Sequence, residues 1–262
     1  MKLAMAVFVL AMGAAQTARA DLTLKQTTGG KGLGLSGSAP GTTYIKGHKM
    51  RADVVMGDKT MTSIYDLDAQ KLYVFDSKKK EADVWDMAAF AAELSKSVDA
   101  SSAKASLKPN GQTKQIGGKN ATGYDVEETM NAAMGGGKDM NLTVTLAGPI
   151  WVVKGAPGSA DYGRFYKTAA EKGFVFSDPR AAKAQPGQAR AIADMYNQLA
   201  ATGGIPYEMD VQIKLGGSGP MAGLLARMGN ITMTNTVEWA ETTPLADDLF
   251  TPPAGYKLNP KK

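Results

Sequence analysis

The sequence predicts an α+β fold in which one strongly curved antiparallel sheet is covered on its apolar face by two or three helices. Three observations carry that expectation. Residues 43–92 read as four short strands that run directly into a helix. Within them Met50, Ala52, Val54 and Met56 alternate with Lys49, Arg51 and Asp53, the period-two pattern of a sheet with one apolar and one polar face. Along the whole chain the order is strands, helix, strands, helices, strands, with no compositional break that would mark a linker.

Taken in order, MKLAMAVFVLAMGAAQTARA has a basic start at Lys2, an apolar run from Leu3 to about Ala15 and a small-x-small end at Ala18-Arg19-Ala20. This is the pattern of a secretory signal peptide cleaved after Ala20, and the apolar run is too short for a spanning helix. The expected organisation is therefore a signal peptide over 1–20 and a single domain over 21–262. Asp21 to Gln26 alternates as a strand, and a Gly-rich connection follows. That connection contains Gly32-x-Gly34-x-x-Gly37, the letters of a dinucleotide fingerprint. It is followed by Ser38-Ala39-Pro40-Gly41, which is turn chemistry and not a helix start, so it reads as a loop.

Turn residues at Gly57-Asp58, Asp66 to Gln70 and Asp76 to Lys80 separate the strands of the central stretch. Asp86 is placed to cap a helix to about Lys104, with Met87, Phe90, Leu94 and Val98 on one face, and Lys108-Pro109-Asn110-Gly111 ends it. Further strands are expected at Thr113 to Ile116, Ala121 to Met130, Met140 to Leu146 and Ile150 to Val153. A helix capped by Ser159 then turns Tyr162, Phe165, Tyr166 and Ala169 inward and stops at Gly173. Pro186 opens another, with Ile192, Met195, Tyr196 and Leu199 on one stripe. Pro206 to Leu215 and Gly229 to Ala240 return to strand. Pro244 to Tyr256 closes the chain, and Lys261-Lys262 is a basic tail.

Composition bounds the chemistry. With no cysteine, thiol catalysis, cysteine metal sites and disulfides are excluded. Lys and Arg total 30 and Asp and Glu 25; without Lys2 and Arg19 the balance is 28 − 25 = +3, mild and dispersed, which does not mark a nucleic-acid binder. His48 is the only histidine, expected mid-strand and hydrogen-bonded or facing solvent; alone it builds no histidine zinc site, and no Gly-x-Ser-x-Gly elbow supplies a nucleophile. No cofactor or metal is expected. The acidic residues Asp53, Asp58, Asp66, Asp68, Asp76, Glu81, Asp83 and Asp86 fall in turns or on the polar strand face, where solvated roles are the default. Lys78-Lys79-Lys80 forms a charged hairpin tip. Asn120, Asn141 and Asn230 begin glycosylation sequons by letter, expected to be unmodified in a chain of bacterial character.

The remaining candidates are apolar. Met50, Val54, Met61, Tyr65, Tyr73, Phe75, Trp85, Met87 and Phe90 are expected either to line one concave ligand surface or to pack as ordinary core.

Gly47-His48-Lys49-Met50-Arg51 opening a strand, the Tyr65-Asp66-Leu67-Asp68 turn and Lys71-Leu72-Tyr73-Val74-Phe75-Asp76 resemble an uncharacterised family of bacterial exported proteins. The ending Asp248-Leu249-Phe250-Thr251-Pro252-Pro253-Ala254-Gly255-Tyr256 resembles that family's closing signature. The family is similar to outer-membrane lipoprotein carrier proteins. The resemblance implies a curved antiparallel half-barrel capped by helices over an apolar cavity, and it brings no catalytic residues.

Three functional expectations follow. The leading one is a periplasmic or secreted non-enzymatic protein whose half-barrel holds a lipid, a lipidated partner such as a lipoprotein acyl chain, or another apolar ligand. The alternative is a structural or protein-interaction module of the envelope with a filled core, using an outer surface that includes Lys49, Arg51 and Lys78 to Lys80. The third, a hydrolase, requires a cleft with perturbed carboxylates. Neither a nucleic acid nor a transmembrane anchor is expected.

Overall fold

The computed structural model describes residues 21–32, 35–97, 103–133, 141–174, 176, 179, 186–217 and 231–261. Residues 1–20, expected to be a signal peptide, and Val98, Asn230 and Lys262 lie outside the described residues. Twelve strands form one sheet: β1 (Leu22–Gly32), β2 (Leu35–Lys46), β3 (Lys49–Met56), β4 (Lys59–Asp66), β5 (Lys71–Asp76), β6 (Glu81–Asp86), β7 (Ala103–Ile116), β8 (Lys119–Ala133), β9 (Asn141–Lys154), β10 (Gly204–Gly217), β11 (Ile231–Thr242) and β12 (Lys257–Lys261). Their spatial order is β12-β6-β5-β4-β3-β2-β1-β11-β10-β9-β8-β7, so the sheet is not closed and its edges are β12 and β7. Every pairing is antiparallel except β12 with β6. Among the described residues three α-helices accompany it: α1 (Met87–Ser97), α2 (Ser159–Glu171) and α3 (Pro186–Ala201).

Several expected boundaries move. The Gly-rich connection is no loop: β1 and β2 pair continuously from Leu22↔Ile45 to Gly32↔Leu35, because backbone ladder bonds need no side chains and glycine tolerates the close strand approach. Of the dinucleotide-like glycines, Gly32 and Gly37 sit in the paired strands β1 and β2 with no helix opening behind them, and Gly34 lies outside the described residues. Residues Lys108 to Gly111 do not end α1. They form an irregularity inside β7, where its pairing with β8 shifts between Pro109 and Thr113. The two strands expected around Gly148 are one strand, β9. A Cβ on Gly148 would lie 2.1 Å from the Asp210 carbonyl oxygen, so only glycine lets β10 pass there.

The capping of α1 is as expected, with the Ala89 amide donating to Asp86 Oδ1 at 2.9 Å. α2 differs: its N-cap is Gly158, at φ +76, and the Ser159 hydroxyl instead donates to the Ala156 carbonyl at 2.7 Å. A side chain at position 158 would collide with Leu22, so glycine here lets α2 sit close on β1.

Alternation assigns the two sheet faces. Ile45, Met50, Tyr65, Leu72 and Trp85 are cross-strand partners in sequence and share the helix-side face. They join Leu22, Leu24, Met87, Phe90, Tyr162, Phe165, Tyr166 and Phe174 in one buried cluster. Beneath α3, a second cluster combines Tyr124, Val126, Ile150 and Val152 with Met195 and Leu199. The opposite face of β4–β6 carries a third, in which Ile64, Phe75 and Ala82 are covered by Phe250 and by Leu245, Leu249 and Tyr256. The C-terminal segment thus straps across the face expected to be wet. Arg51 donates from Nη1 to the Leu249 carbonyl at 3.1 Å and from Nε to Asp53 at 3.0 Å, and the Thr62 hydroxyl donates to the same carboxylate at 2.7 Å. Lys46 ion-pairs with Asp247 at 2.8 Å, and Asp21 accepts the Leu245 amide at 2.8 Å. The strap ends in β12, where Lys261 of the basic tail is exposed and pairs with Asp83 at 3.1 Å.

The two sheet edges are finished differently. β12 itself ends one side, with Pro260 on the edge strand where no ladder donor is missed. At the β7 side the Gln198 side chain of α3 takes the place of a neighbouring strand. Its amide donates to the Ala105 carbonyl at 2.9 Å and accepts the Leu107 amide at 2.8 Å.

Candidate functional site

The helix-side face is packed by an aromatic group drawn from three parts of the chain. Tyr166 stacks on Tyr196 with ring centroids 4.7 Å apart and planes 8° from parallel. Phe176 packs against both rings at 4.8 and 5.2 Å and reaches Tyr65 of β4 at 5.5 Å. Tyr162 meets Tyr166 at 4.5 Å, and the Tyr166 hydroxyl contacts Met50 Sδ at 3.6 Å. Burial holds the Tyr162 and Tyr166 phenols well above the usual tyrosine range and also raises Tyr196, so all three are neutral, with an apolar body and a polar tip.

Beside this group lies a cavity of about 150 Å³, between β1, β2, β10 and β11 on one side and α2 and α3 on the other. Tyr162, Tyr166 and Tyr196 form its helix wall; Leu24, Ile205, Val237 and Met209 its apolar floor. Gln26, Thr28, Thr43 and Asn235 bring polar groups, and the exposed Thr28 and Met233 form its rim.

None of the nine residues expected to line an apolar surface lines this cavity. Met50, Tyr65, Trp85, Met87 and Phe90 are buried on the helix side, where α1 and the aromatic group fill the space above β3–β6. The Trp85 and Phe90 rings meet edge-on at 6.3 Å. Val54 and Met61 are cross-strand partners on the same face, both half-buried. Tyr73 and Phe75 do not belong with them: they fall on the opposite face beneath the strap, where Phe75 meets Tyr256 at 5.4 Å. One strand position separates the faces, and a sequence stripe drawn across turns crosses from one to the other. The helix tyrosines had the signal that could find them, an inward stripe at helical spacing, but the floor residues Leu24 of β1 and Val237 of β11 are far from them in sequence.

The charged candidates are structural in their contacts. His48 is in the β2–β3 turn, not mid-strand. Its Nδ1 lies 2.9 Å from Asp68 Oδ1, and this bond, with Lys172 nearby, holds the Asp68 carboxyl below its usual range. Lys172 of the α2 C-terminus also donates to the Leu67 carbonyl at 2.8 Å, tying helix to turn. Sequence reasoning missed Glu128. It is 1 % exposed on β8 beneath α3, neither carboxyl oxygen has a hydrogen-bond partner, and burial with Asp194 close by raises it to about 7. It borders no described cavity. Among the described residues no group of three or more His, Asp or Glu converges to hold a metal ion, and no helix is long and apolar enough to cross a membrane.

No family model matches the chain, and no curated protein matches it. Among solved structures, PNGF-II is similar over 92% of this chain at 10% identity and a TM-score of 0.34; the chain spans only 31% of that protein. A domain named provisionally as an outer membrane lipoprotein-sorting protein, from Vibrio parahaemolyticus, is similar over 88% of this chain and 89% of its own length. Its identity is 7% and its TM-score 0.32.

Proposed function

We propose that the chain is a non-enzymatic periplasmic binding protein whose sheet acts as a half-barrel and holds a lipid, an acyl chain of a lipidated partner or another apolar ligand against α2 and α3. The observation that carries this reading is the tyrosine- and methionine-walled cavity between sheet and helices. Its walls are mostly apolar, Thr28 and Asn235 are cross-strand partners near the Met233 rim while the buried Thr43 lies deeper beside Leu24, and a mostly apolar interior with a polar mouth suits an amphiphile entering tail first. A cavity near 150 Å³ accepts a chain end or a single ring, roughly the size that admits benzene in an engineered core. A longer ligand is accommodated by α2 and α3 moving outward, against the stacking of Tyr166 on Tyr196.

The test is binding of a fluorescent fatty-acid probe, together with native mass spectrometry of protein taken from cells. The unmodified protein binds the probe, and Met209→Trp, which fills the cavity from a half-buried position, lowers the affinity at least tenfold while the fold is retained. Equal binding by both, or none by either, removes the reading. A second reading, an envelope interaction module with a filled core, is favoured by how completely the aromatic group occupies the face over β3–β6. It predicts periplasmic crosslinking to a protein partner and no probe binding.

A further inference from the structure

The hairpin end of β3–β6 lies beyond the tyrosine cavity, whose rim residue Thr28 also borders it, and it combines exposed apolar and basic residues. Met56 and Val55, consecutive at the end of β3, are 53% and 42% exposed. Because they are neighbours on a strand they point to opposite faces, so no single covering element of the fold shields both. The β3–β4 and β5–β6 turns lie side by side, joined by the Ser77 amide on the Thr60 carbonyl at 2.9 Å and by the Lys78–Asp58 ion pair. The Lys257 amide donates to the Lys80 carbonyl at 2.9 Å, bringing β12 to the same end.

Along the same end of the sheet as the exposed Met56 stand Lys59, Lys78, Lys79, Lys80 and Lys257, with Lys31 on the adjoining β1–β2 hairpin. Three carboxylates share the region, Asp58, Asp76 and Glu81, giving 6 − 3 = +3 where the whole sequence carries +5. All three carboxylates are engaged within the protein. Asp58 holds Lys78, Asp76 accepts the Lys78 and Lys79 amides at 3.0 and 2.9 Å, and Glu81 accepts Asn259 at 3.0 Å. An open cleft of about 540 Å³ indents this end, lined by Thr28, Gly30, Ala39, Val55, Met56 and Lys59.

We infer that this hairpin end docks on an anionic lipid surface, with Met56 and Val55 entering the headgroup boundary and the surrounding lysines meeting lipid phosphates. An exposed apolar tip on a sheet end lined with lysines is an arrangement that interfacial binding uses: the apolar side chains supply insertion, and the ammonium groups supply attraction to negative charge. The cleft beside Met56 leaves room for a headgroup between the two hairpins. The inference does not depend on the ligand proposed above, because Met56 does not line the tyrosine cavity.

The test is co-sedimentation of the full mature chain with vesicles containing phosphatidylglycerol, and in parallel with vesicles of phosphatidylcholine alone. The expected result is partition onto the anionic vesicles that weakens as NaCl is raised, with little onto the neutral ones. Met56→Asp lowers that partition at least tenfold. Lys79→Glu with Lys80→Glu lowers it by roughly fivefold or more per lysine. Fatty-acid probe binding stays unchanged in these variants, which separates failure of this inference from failure of the cavity reading. Absence of partition onto anionic vesicles, equal partition onto neutral ones, or unchanged partition of Met56→Asp overturns the inference. So does a Met56→Asp effect confined to oligomeric state, which would make the end a contact between copies of the chain.

Discussion

The two faces of β3–β6 are both covered, but by different physics. On the helix side, apolar side chains of three helices meet apolar strand positions, and the contact is a continuous aromatic and aliphatic core. On the other side, a segment with little regular structure, 243–256, lies over the strands. It is held partly by Phe250 and partly by polar anchors from Arg51, Lys46 and Asp21. The contrast teaches that alternation identifies which residues share a face and says little about what will cover it. A helix hides its backbone polar groups internally. An irregular strap must have its carbonyls satisfied from outside, so the strands beneath it need charged residues. Lys46, Arg51 and Asp53 look like a solvated face in sequence for that reason.

The largest expected effect sharpens the contrast. Phe165→Ala on the helix side and Phe250→Ala on the strap side each remove a fully buried ring, and the first should cost about 3–5 kcal/mol in denaturant unfolding. If the strap is a separate, weaker unit, Phe250→Ala costs less globally. It instead releases the amides of Leu245 and Lys257 to fast hydrogen exchange while those of β4 stay protected. Equal global losses and no local exchange would show that the two covers form one cooperative core.

Glu128 provides an intermediate effect with a defined sign. Its folded-state value of about 7 lies above the ordinary 4.5, so the folded protein holds the proton more tightly than the unfolded chain. Stability from this group is complete below about pH 4.5 and is lost as pH rises through 7, by up to about 3 kcal/mol. Glu128→Gln should therefore stabilise the protein at pH 8 and change little at pH 4.5, measured by urea unfolding at both. Equal effects at the two pH values would mean that the carboxyl stays charged beneath α3.

Arg51→Met is the smaller test of the strap. It leaves the Leu249 carbonyl and the Asp53 carboxylate each short of a donor, at a cost of about 1–3 kcal/mol. The loss should shrink when Asp53→Asn is added, since the neutral amide needs no cation. Strict additivity of the two changes would break the view that Arg51 and Asp53 act as one anchor.

These comparisons also indicate what the sequence could disclose. The hairpins from Lys49 to Asp86, the cap at Asp86 and the inward stripes of α2 and α3 are local, set by neighbours within a few residues, and they were legible. The cavity was not. Its wall comes from residues 162–199, its floor from residues 24 and 205–237, and no short-range pattern records that β1 lies between β2 and β11. Tyr73 and Phe75 were misplaced for a related reason: an aromatic residue beneath the strap carries the same letters as one beneath a helix. Glu128 was invisible because an acid next to Glu127, in a strand that also carries Asp125, reads as solvent-facing until a helix is laid over it.

The central position of β1 has a kinetic consequence. Leu22 pairs with Thr242 and Lys31 with Thr232, so the bond that joins the two halves of the sheet unites residues from nearly opposite ends of the described chain. Neither half gains that ladder until β11 has arrived, and the loop closed in forming it contains most of the molecule. Folding should therefore be slow for the protein's size, with the β3–β6 meander forming early and the β1–β11 seam late. An amide pulse-labelling experiment would see that delay as protection at Tyr65 and Leu72 preceding protection at Leu24 and Val237.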